Sequence, residues 1–594
     1  MKELIKTYLA DIVRKMAPEF KGGILIETPE NKEHGDYSSN IAFQLAKTLK
    51  RSSQDIAVEL AKKLKEQKAS DFSDIKAVGG FINFFLSPEC LADQVKKILK
   101  TKNKYGFSKN GNGKKIQVEF ISANPTGPMT LGNGRGGFLG DVLANIFASQ
   151  GFKTEREYYI NDRGEQVLVL GRSIKLAQGF KVEDQENIYK GDYVKDLAKK
   201  IGKNLSAEEA GRKAVEIVLK SYIKPVVEKK LKIKFNKWFS EKSLYPVISR
   251  ARAGPVRDGD ALRTLAVSNG AGAPRGPMGR ATSNGVYPVR SPIPKGIGSR
   301  SARLTSNGVY ETVWNLLREK DLVYEKDGAT WMKTSKLGDT EDRVLIKKNG
   351  NETYFLSDIL YHWNKFNVRG FDKVVDIWGA DHHGYAPRLV GALTALGIDK
   401  ERLDIIATQL IRLTKGGKEF KISKRTGAFV TIEELVDEVG ADAARYFFLS
   451  LSPNTQLDFN IDLAKERSEK NPVYYVQYAH ARLSSILRKV KSQKSKVKII
   501  SQNLKFTEKA ELDLMRKLVE YPELLAGIAG SYEVHRLSRY ALELARQVSA
   551  FYRDIPVLRA PAQKKAARLA LVAAAKMVLA YSLNLMGIKA PERM

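Results

Sequence analysis

Residues 116–147, IQVEFISANPTGPMTLGNGRGGFLGDVLANIF, place the tightest limit on how this chain folds. Ile116, Val118 and Phe120 alternate with Gln117 and Glu119, the period of a half-buried strand. Asn124-Pro125-Thr126-Gly127-Pro128 then interrupts any regular element. Gly132, Gly134, Gly136 and Gly137 surround Arg135, after which Phe138, Leu139, Val142, Leu143 and Ile146 recur at three- and four-residue spacing on one face of a helix. Strand, glycine-rich turn and helix in that order suit an anion. The helix N-terminus offers unpaired N–H groups and partial positive charge, and glycines let a phosphate reach the backbone. Any Rossmann-like unit shows this order, and a tight turn without a ligand produces it too.

A second stretch bears on the choice. Lys415, Lys418, Lys421, Lys424 and Arg425 crowd a short segment that has Gly416-Gly417 at one end and Gly427 at the other. By itself this is a solvated charge run. Together the two stretches resemble the paired hallmarks of class I aminoacyl-tRNA synthetases: HIGH at Thr130-Leu131-Gly132-Asn133 and KMSKS at Lys421-Ile422-Ser423-Lys424-Arg425. The wider wording, NPTGPMTLGNGRGG, EYYINDRG, WGADHHGY, KISKRTGAFVTIEEL and a terminal GIKAPERM, is similar to one family of that class, the arginyl-tRNA synthetases. The resemblance runs from about residue 3 to residue 594, with one gap.

A chain of 594 residues holds about three to four domains. With 43% hydrophobic and 28% charged residues it has the composition of a globular protein. Its charge is unusual: 100 Lys+Arg against 67 Asp+Glu leave +33, an excess that favours a polyanionic partner through counterion release. The single cysteine, Cys90, rules out an internal disulfide and any Cys-based zinc cluster, which fits a reducing compartment. No run approaches the roughly 18 apolar residues of a membrane span, and MKELIKTYLADIVRK is amphipathic rather than a signal peptide. The expectation is a cytoplasmic protein with no membrane association.

In chain order, residues 1–110 mix helical patterns (Leu4, Leu9, Ile12; Ile41, Leu45; Ile56, Leu60, Leu64) with an apolar strand at 80–86, a small α+β domain. Residues 111–430 read as an α/β Rossmann-like catalytic domain, and 431–594 as an all-α domain. Between 246 and 309 Arg replaces Lys, Gly and Pro become dense, and TSNGVY occurs twice, at 282–287 and 305–310. Apolar periodicity fades there, which predicts a flexible insert outside the fold.

The resemblance also implies roles. The N-terminal domain would contact tRNA through Tyr37, Asn40 and Phe81, and the helical domain would bind the anticodon with Gln477, His480 and Arg482. ATP, accompanied by Mg2+, would lie against Pro128, Thr130, Gly132, Asn133, Gly134, Asp381, His382 and His383. Lys421 and Lys424, assisted by Ser423, would supply the cations that phosphoryl chemistry requires. L-arginine needs carboxylates for its guanidinium; Glu241 and Asp358 stand where the family has them, with Tyr354 flanking and Asn124 facing the α-amino group. The chain departs from the family at Thr130 and Asn133, which replace histidines and cannot carry charge. The implied activity is ligation of arginine to tRNA(Arg) by a monomer that holds no protein-bound zinc. The alternatives are another class I synthetase and a catalytically weak tRNA-binding homologue.

Overall fold

The computed structural model describes residues 1–67, 70–245, 306–380, 384–420, 430–492 and 504–594. The N-terminal unit packs helices α1 (Lys2–Met16), α2 (Ile41–Leu49), α3 (Ser53–Glu66) and α4 (Pro88–Thr101) with strands β1 (Tyr37–Ser39), β2 (Phe72–Val78) and β3 (Phe81–Leu86), an antiparallel sheet ordered β1-β3-β2. Ile5, Leu9, Ile12, Leu45, Ile56 and Leu60 are buried there, so the periodic apolar residues form its core.

The central unit begins with the strand, turn and helix of residues 115–149. It forms β4 (Lys115–Glu119), a loop and α5 (Leu131–Ser149), then β5 (Lys153–Ile160). Helices α6 (Glu165–Ala177), α7 (Asp192–Lys200) and α8 (Ala207–Val218) follow before β6 (Lys237–Ser240). After residue 305 the chain continues as α9 (Ser306–Glu319), the hairpin strands β7 (Val323–Lys326), β8 (Ala329–Met332) and β9 (Arg343–Ile346), α10 (Tyr354–Trp363), β10 (Lys373–Gly379), α11 (Ala386–Ala395) and β11 (Leu403–Thr408). The main sheet is parallel throughout, ordered β11-β10-β4-β5-β6. Its chain order reverses beside β4, and ligands sit at the strand carboxyl ends of such sheets.

A small sheet follows: β12 (Ile411–Lys415) and β13 (Lys418–Glu419) turn at Gly416-Gly417, both with positive φ, and β14 (Leu457–Asn460) pairs with β12. The lysine-rich segment thus starts as a hairpin. Between them lie α12 (Ile432–Val439) and α13 (Ala441–Phe448); beyond come α14 (Ile461–Lys465), α15 (Pro472–Ser492), α16 (Lys509–Val519), α17 (Tyr521–Ser531), α18 (His535–Asp554) and α19 (Ala562–Leu585). Four helices follow α15, α16 and α17 being separate because the chain breaks at Glu520 and restarts with Pro522 near the next N-terminus. Lys564–Leu585 is long and apolar enough to cross a bilayer, but 72% of its apolar window is buried in the protein, where α19 packs on α4, α15, α16 and α18.

The expected insert, 246–309, needs a correction at one end. Residues 246–305 lie outside the described residues, but α9 starts at Ser306, and Val309 is 2% exposed with Tyr310 packed 5.7 Å from Tyr245. The second TSNGVY copy therefore runs into a core helix. Joining Tyr245 to Ser306 through a short glycine linker should leave the melting temperature within a few degrees. Carrying the deletion through Val309 should cost a further ~2 °C or more, as a buried valine is lost; calorimetry on the two variants distinguishes them.

Candidate active site

Thr130 caps α5. Its Oγ1 accepts from the Asn133 backbone N–H, while Asn133 Oδ1 accepts from the Thr130 N–H at 2.9 Å, a reciprocal capping box. The two residues that replace the expected histidines therefore build the helix start. Pro128, Thr130 and Gly132 are exposed, and a Cβ on Gly132 would meet nothing nearer than 3.7 Å. Gly134 differs: a Cβ there would lie 2.4 Å from Ile432 Cδ1, and one on Gly140 would lie 2.2 Å from Phe120. Gly132 leaves the backbone open to a ligand, whereas Gly134 and Gly140 allow close packing.

Arg135, 2% exposed, donates to the carbonyls of Gln409, Ser452 and Thr455 at 2.9, 2.9 and 2.7 Å, which ties the first turns of α5 to the base of the β12 hairpin. The hairpin leads to Phe420, whose N–H donates to Leu413 O. The chain re-enters the described residues at Val430; Thr431 bridges to Thr130, and the Ile432 N–H donates to Met129 O at 3.1 Å. Segment 421–429, with Lys421, Ser423 and Lys424, lies outside the described residues, as do Asp381, His382 and His383 after β10. Thr431 and Ile432, just beyond that segment, are fastened beside the α5 N-terminus.

A second cluster gathers at the carboxyl ends of β5 and β6. Glu241, first residue of the one-turn helix Glu241–Leu244, is 3% exposed. Its Oε1 accepts from Ser357 Oγ at 2.7 Å, and Ser357 Oγ is 2.6 Å from Tyr245 Oη. Asn161, with its amide nitrogen toward Glu241, donates to Oε2 at 2.8 Å, and the same amide lies 3.3 Å from Asn124 Oδ1. Asp358, next to Ser357 on α10, accepts from the Tyr385 hydroxyl. Tyr354 opens the same helix four residues earlier and is 45% exposed. Asn124, Glu241, Tyr354 and Asp358, up to 234 residues apart (358 − 124), thus converge. Among the described residues no Lys, Arg or His pairs with either carboxylate; Arg163, the nearby cation, is engaged by Glu352 at 3.0 Å and stacks 3.4 Å over Tyr245. Burial, with the charge of Asp358 adding to it, pushes the Glu241 carboxyl up to about 7, and burial also raises Asp358.

Beneath this cluster lies a charge network that sequence reasoning missed. Lys365, 0% exposed, donates to Glu119 Oε2 at 2.6 Å and Asp376 Oδ1 at 2.9 Å, and His362 Nε2 is 2.6 Å from Asp376 Oδ2. The signal was present as an aspartate inside the apolar run Val374-Val375-Asp376-Ile377.

The expected RNA-contacting residues divide. Phe81 is 41% exposed beside Phe43, and Arg482 is half-buried, stacking between Tyr478 and Tyr552. Asn40 and Gln477 are half-buried, with Gln477 donating to Asp442 and Lys589 O. Tyr37 and His480 need correcting as surface contacts: Tyr37 is 3% exposed and donates to Glu523, joining the N-terminal unit to α17, while His480 is 2% exposed and bonds Pro591 O.

Family models place this arrangement. The model for the class I (R) tRNA synthetase catalytic domain matches residues 94–234 and 300–448, the arginyl tRNA synthetase N-terminal domain matches 1–86, and the DALR anticodon-binding domain matches 476–594. An arginine–tRNA ligase of Aquifex aeolicus is 38% identical, with the whole of both chains covered, and one of Oceanobacillus iheyensis is 38% identical over 96% of this chain and 94% of its own. The fold superposes on the Thermus thermophilus arginyl-tRNA synthetase with a TM-score of 0.71 across both full chains at 20% identity. Full-length identity at this level and three co-linear family domains lead to one conclusion: the chain belongs to the arginine–tRNA ligase family.

Proposed function

We propose that this protein joins L-arginine to tRNA(Arg) in two steps. The arginine carboxylate attacks the α-phosphorus of Mg2+-bound ATP and pyrophosphate leaves, giving arginyl-adenylate. The 3′-terminal adenosine hydroxyl of the tRNA then attacks the carbonyl carbon and AMP leaves. The observation that carries the reading is the Glu241–Asp358 pair, Glu241 buried and Asp358 half-buried, which has no protein cation bound to it among the described residues and so suits a guanidinium. Tyr354 flanks the side chain and Asn124 receives the α-amino group.

The nucleotide lies over the open face at Pro128, Thr130 and Gly132, with Asn133 holding the helix start and Asp381, His382 and His383, which follow β10 in sequence, as its further partners. Lys421 and Lys424 bring positive charge to the departing pyrophosphate, with Ser423 beside them; the junction of Thr431 with Thr130 keeps that segment within reach. The capping box supports an active enzyme over a weakened homologue, because Thr130 and Asn133 preserve the helix start without imidazoles. Phe81, which is exposed, and Arg482, which is half-buried, offer contacts for RNA. A monomer in a reducing aqueous compartment fits the lone Cys90, whose thiol burial pushes up to about 12.

Charging of tRNA(Arg) assayed with each amino acid in turn should succeed with arginine alone; charging with another amino acid, or with none, contradicts the proposal. Lys424→Ala should lower the charging rate by roughly two orders of magnitude or more while tRNA affinity stays nearly unchanged, and near-normal turnover removes the lysine from its role. Arginine needs the ionised Glu241, which takes up a proton as pH falls through about 7. kcat/KM for arginine should therefore decline on the acid side, approaching roughly tenfold per pH unit. A flat profile from pH 6 to 8 would exclude Glu241 as a titrating contact.

A further inference from the structure

Tyr159 lies in β5, opposite Phe239 of β6, two residues before Glu241. Its ring stacks on Phe239 (centroids 6.2 Å apart, 13° between planes) and tilts against Tyr361 at 4.4 Å. Tyr361 stands on α10, nearly one helical turn beyond Asp358. The phenol is thus wedged between the strand that delivers Glu241 and the helix that delivers Asp358. The residue is 9% exposed, and its hydroxyl is buried with no hydrogen-bond partner among the described residues.

The other phenols of this cluster are satisfied: Tyr158 donates to Ala123 O, Tyr361 to Glu157 and Tyr385 to Asp358, and Tyr245 bonds Ser357. An unpaired buried hydroxyl costs free energy, and beside a binding site a ligand can supply the partner it lacks. Burial, then the charges of Glu241 and Asp358, raise the Tyr159 pKa well above the ordinary phenol value, so the group stays neutral and keeps both its proton and its lone pairs.

We propose that Tyr159 is a further arginine-recognising residue, whose hydroxyl accepts a guanidinium N–H and donates to a neighbouring carboxylate once the substrate is bound. The proposal rests on reading the acid pair as the arginine site. It gives the pocket a means of rejecting apolar side chains, because only a donor-rich head group relieves the orphaned hydroxyl.

Tyr159→Phe tests it, with L-arginine binding followed by calorimetry and thermal unfolding measured on the free protein. Loss of the unpaired hydroxyl should leave the free variant melting at or above the wild-type temperature, while its Kd for arginine rises about 10- to 100-fold. Wild-type binding that the variant retains within about twofold overturns the proposal. So does a loss of affinity accompanied by a lower melting temperature, since that is the behaviour of a structural hydroxyl. Absence of arginine binding by the wild type overturns the acid-pair reading and this proposal with it.

Discussion

The buried Lys365 ammonium holds the site together. It follows α10, in a turn of wider helix, and reaches Glu119 at the end of β4 and Asp376 in β10, while His362 of α10 bonds the other Asp376 oxygen. Burial works against the charge, yet Asp376 and Glu119 hold the ammonium above its ordinary range. Removing one partner would strand a charge in the interior, at a cost of roughly 3–5 kcal/mol. These bonds pin α10 to the two strands at the centre of the sheet. The positions of Tyr354, Ser357 and Asp358 follow from that attachment, and Ser357 in turn orients Glu241.

The neighbouring acid pair has the opposite character. It is held by hydroxyls and an amide, with no bound cation among the described residues. A carboxyl that keeps its proton up to about 7 in the folded chain, against 4.5 as its ordinary value, favours the fold fully below the lower value. That contribution is lost as pH rises through about 7, leaving a deficit of roughly 3 kcal/mol in the neutral range. The site is therefore less stable at working pH than an apolar pocket would be, and under the proposed function a guanidinium would return what is missing. Strain adds to this: Ile121 and Ser122, just after β4, have φ of 68° and 37°, held by Ser122 bonds to Glu119 and to the Tyr159 N–H.

Local order was legible in the sequence, and long-range chemistry much less so. The alternation at 116–120 and the spacing of Phe138, Val142 and Ile146 specify β4 and α5, because periodicity reports which face is buried. The glycines between them were harder to divide: Gly132 and Gly134 look equivalent in sequence, and only the packing of Ile432 separates an open site from a contact. Glu241 and Asp358 are 117 residues apart (358 − 241), so no spacing rule joins them; family resemblance did. Lys365 and Glu119, 246 residues apart, escaped notice for the same reason, and Tyr37 and His480 were read as tRNA contacts because a polar side chain gives no sign of its burial. The second TSNGVY copy looked like its twin at 282–287, and only the core contact of Val309 distinguishes it.

The proposed function requires nucleotide and amino acid to meet between the α5 N-terminus, the segment that precedes Thr431 and the acid pair. The most direct test is a crystal structure with L-arginine and a non-hydrolysable ATP analogue bound together. The account predicts the guanidinium between the Glu241 and Asp358 carboxylates, and the triphosphate spanning the first turn of α5 and residues 421–429. Arginine bound away from those carboxylates, or a nucleotide touching only one of the two segments, would contradict it.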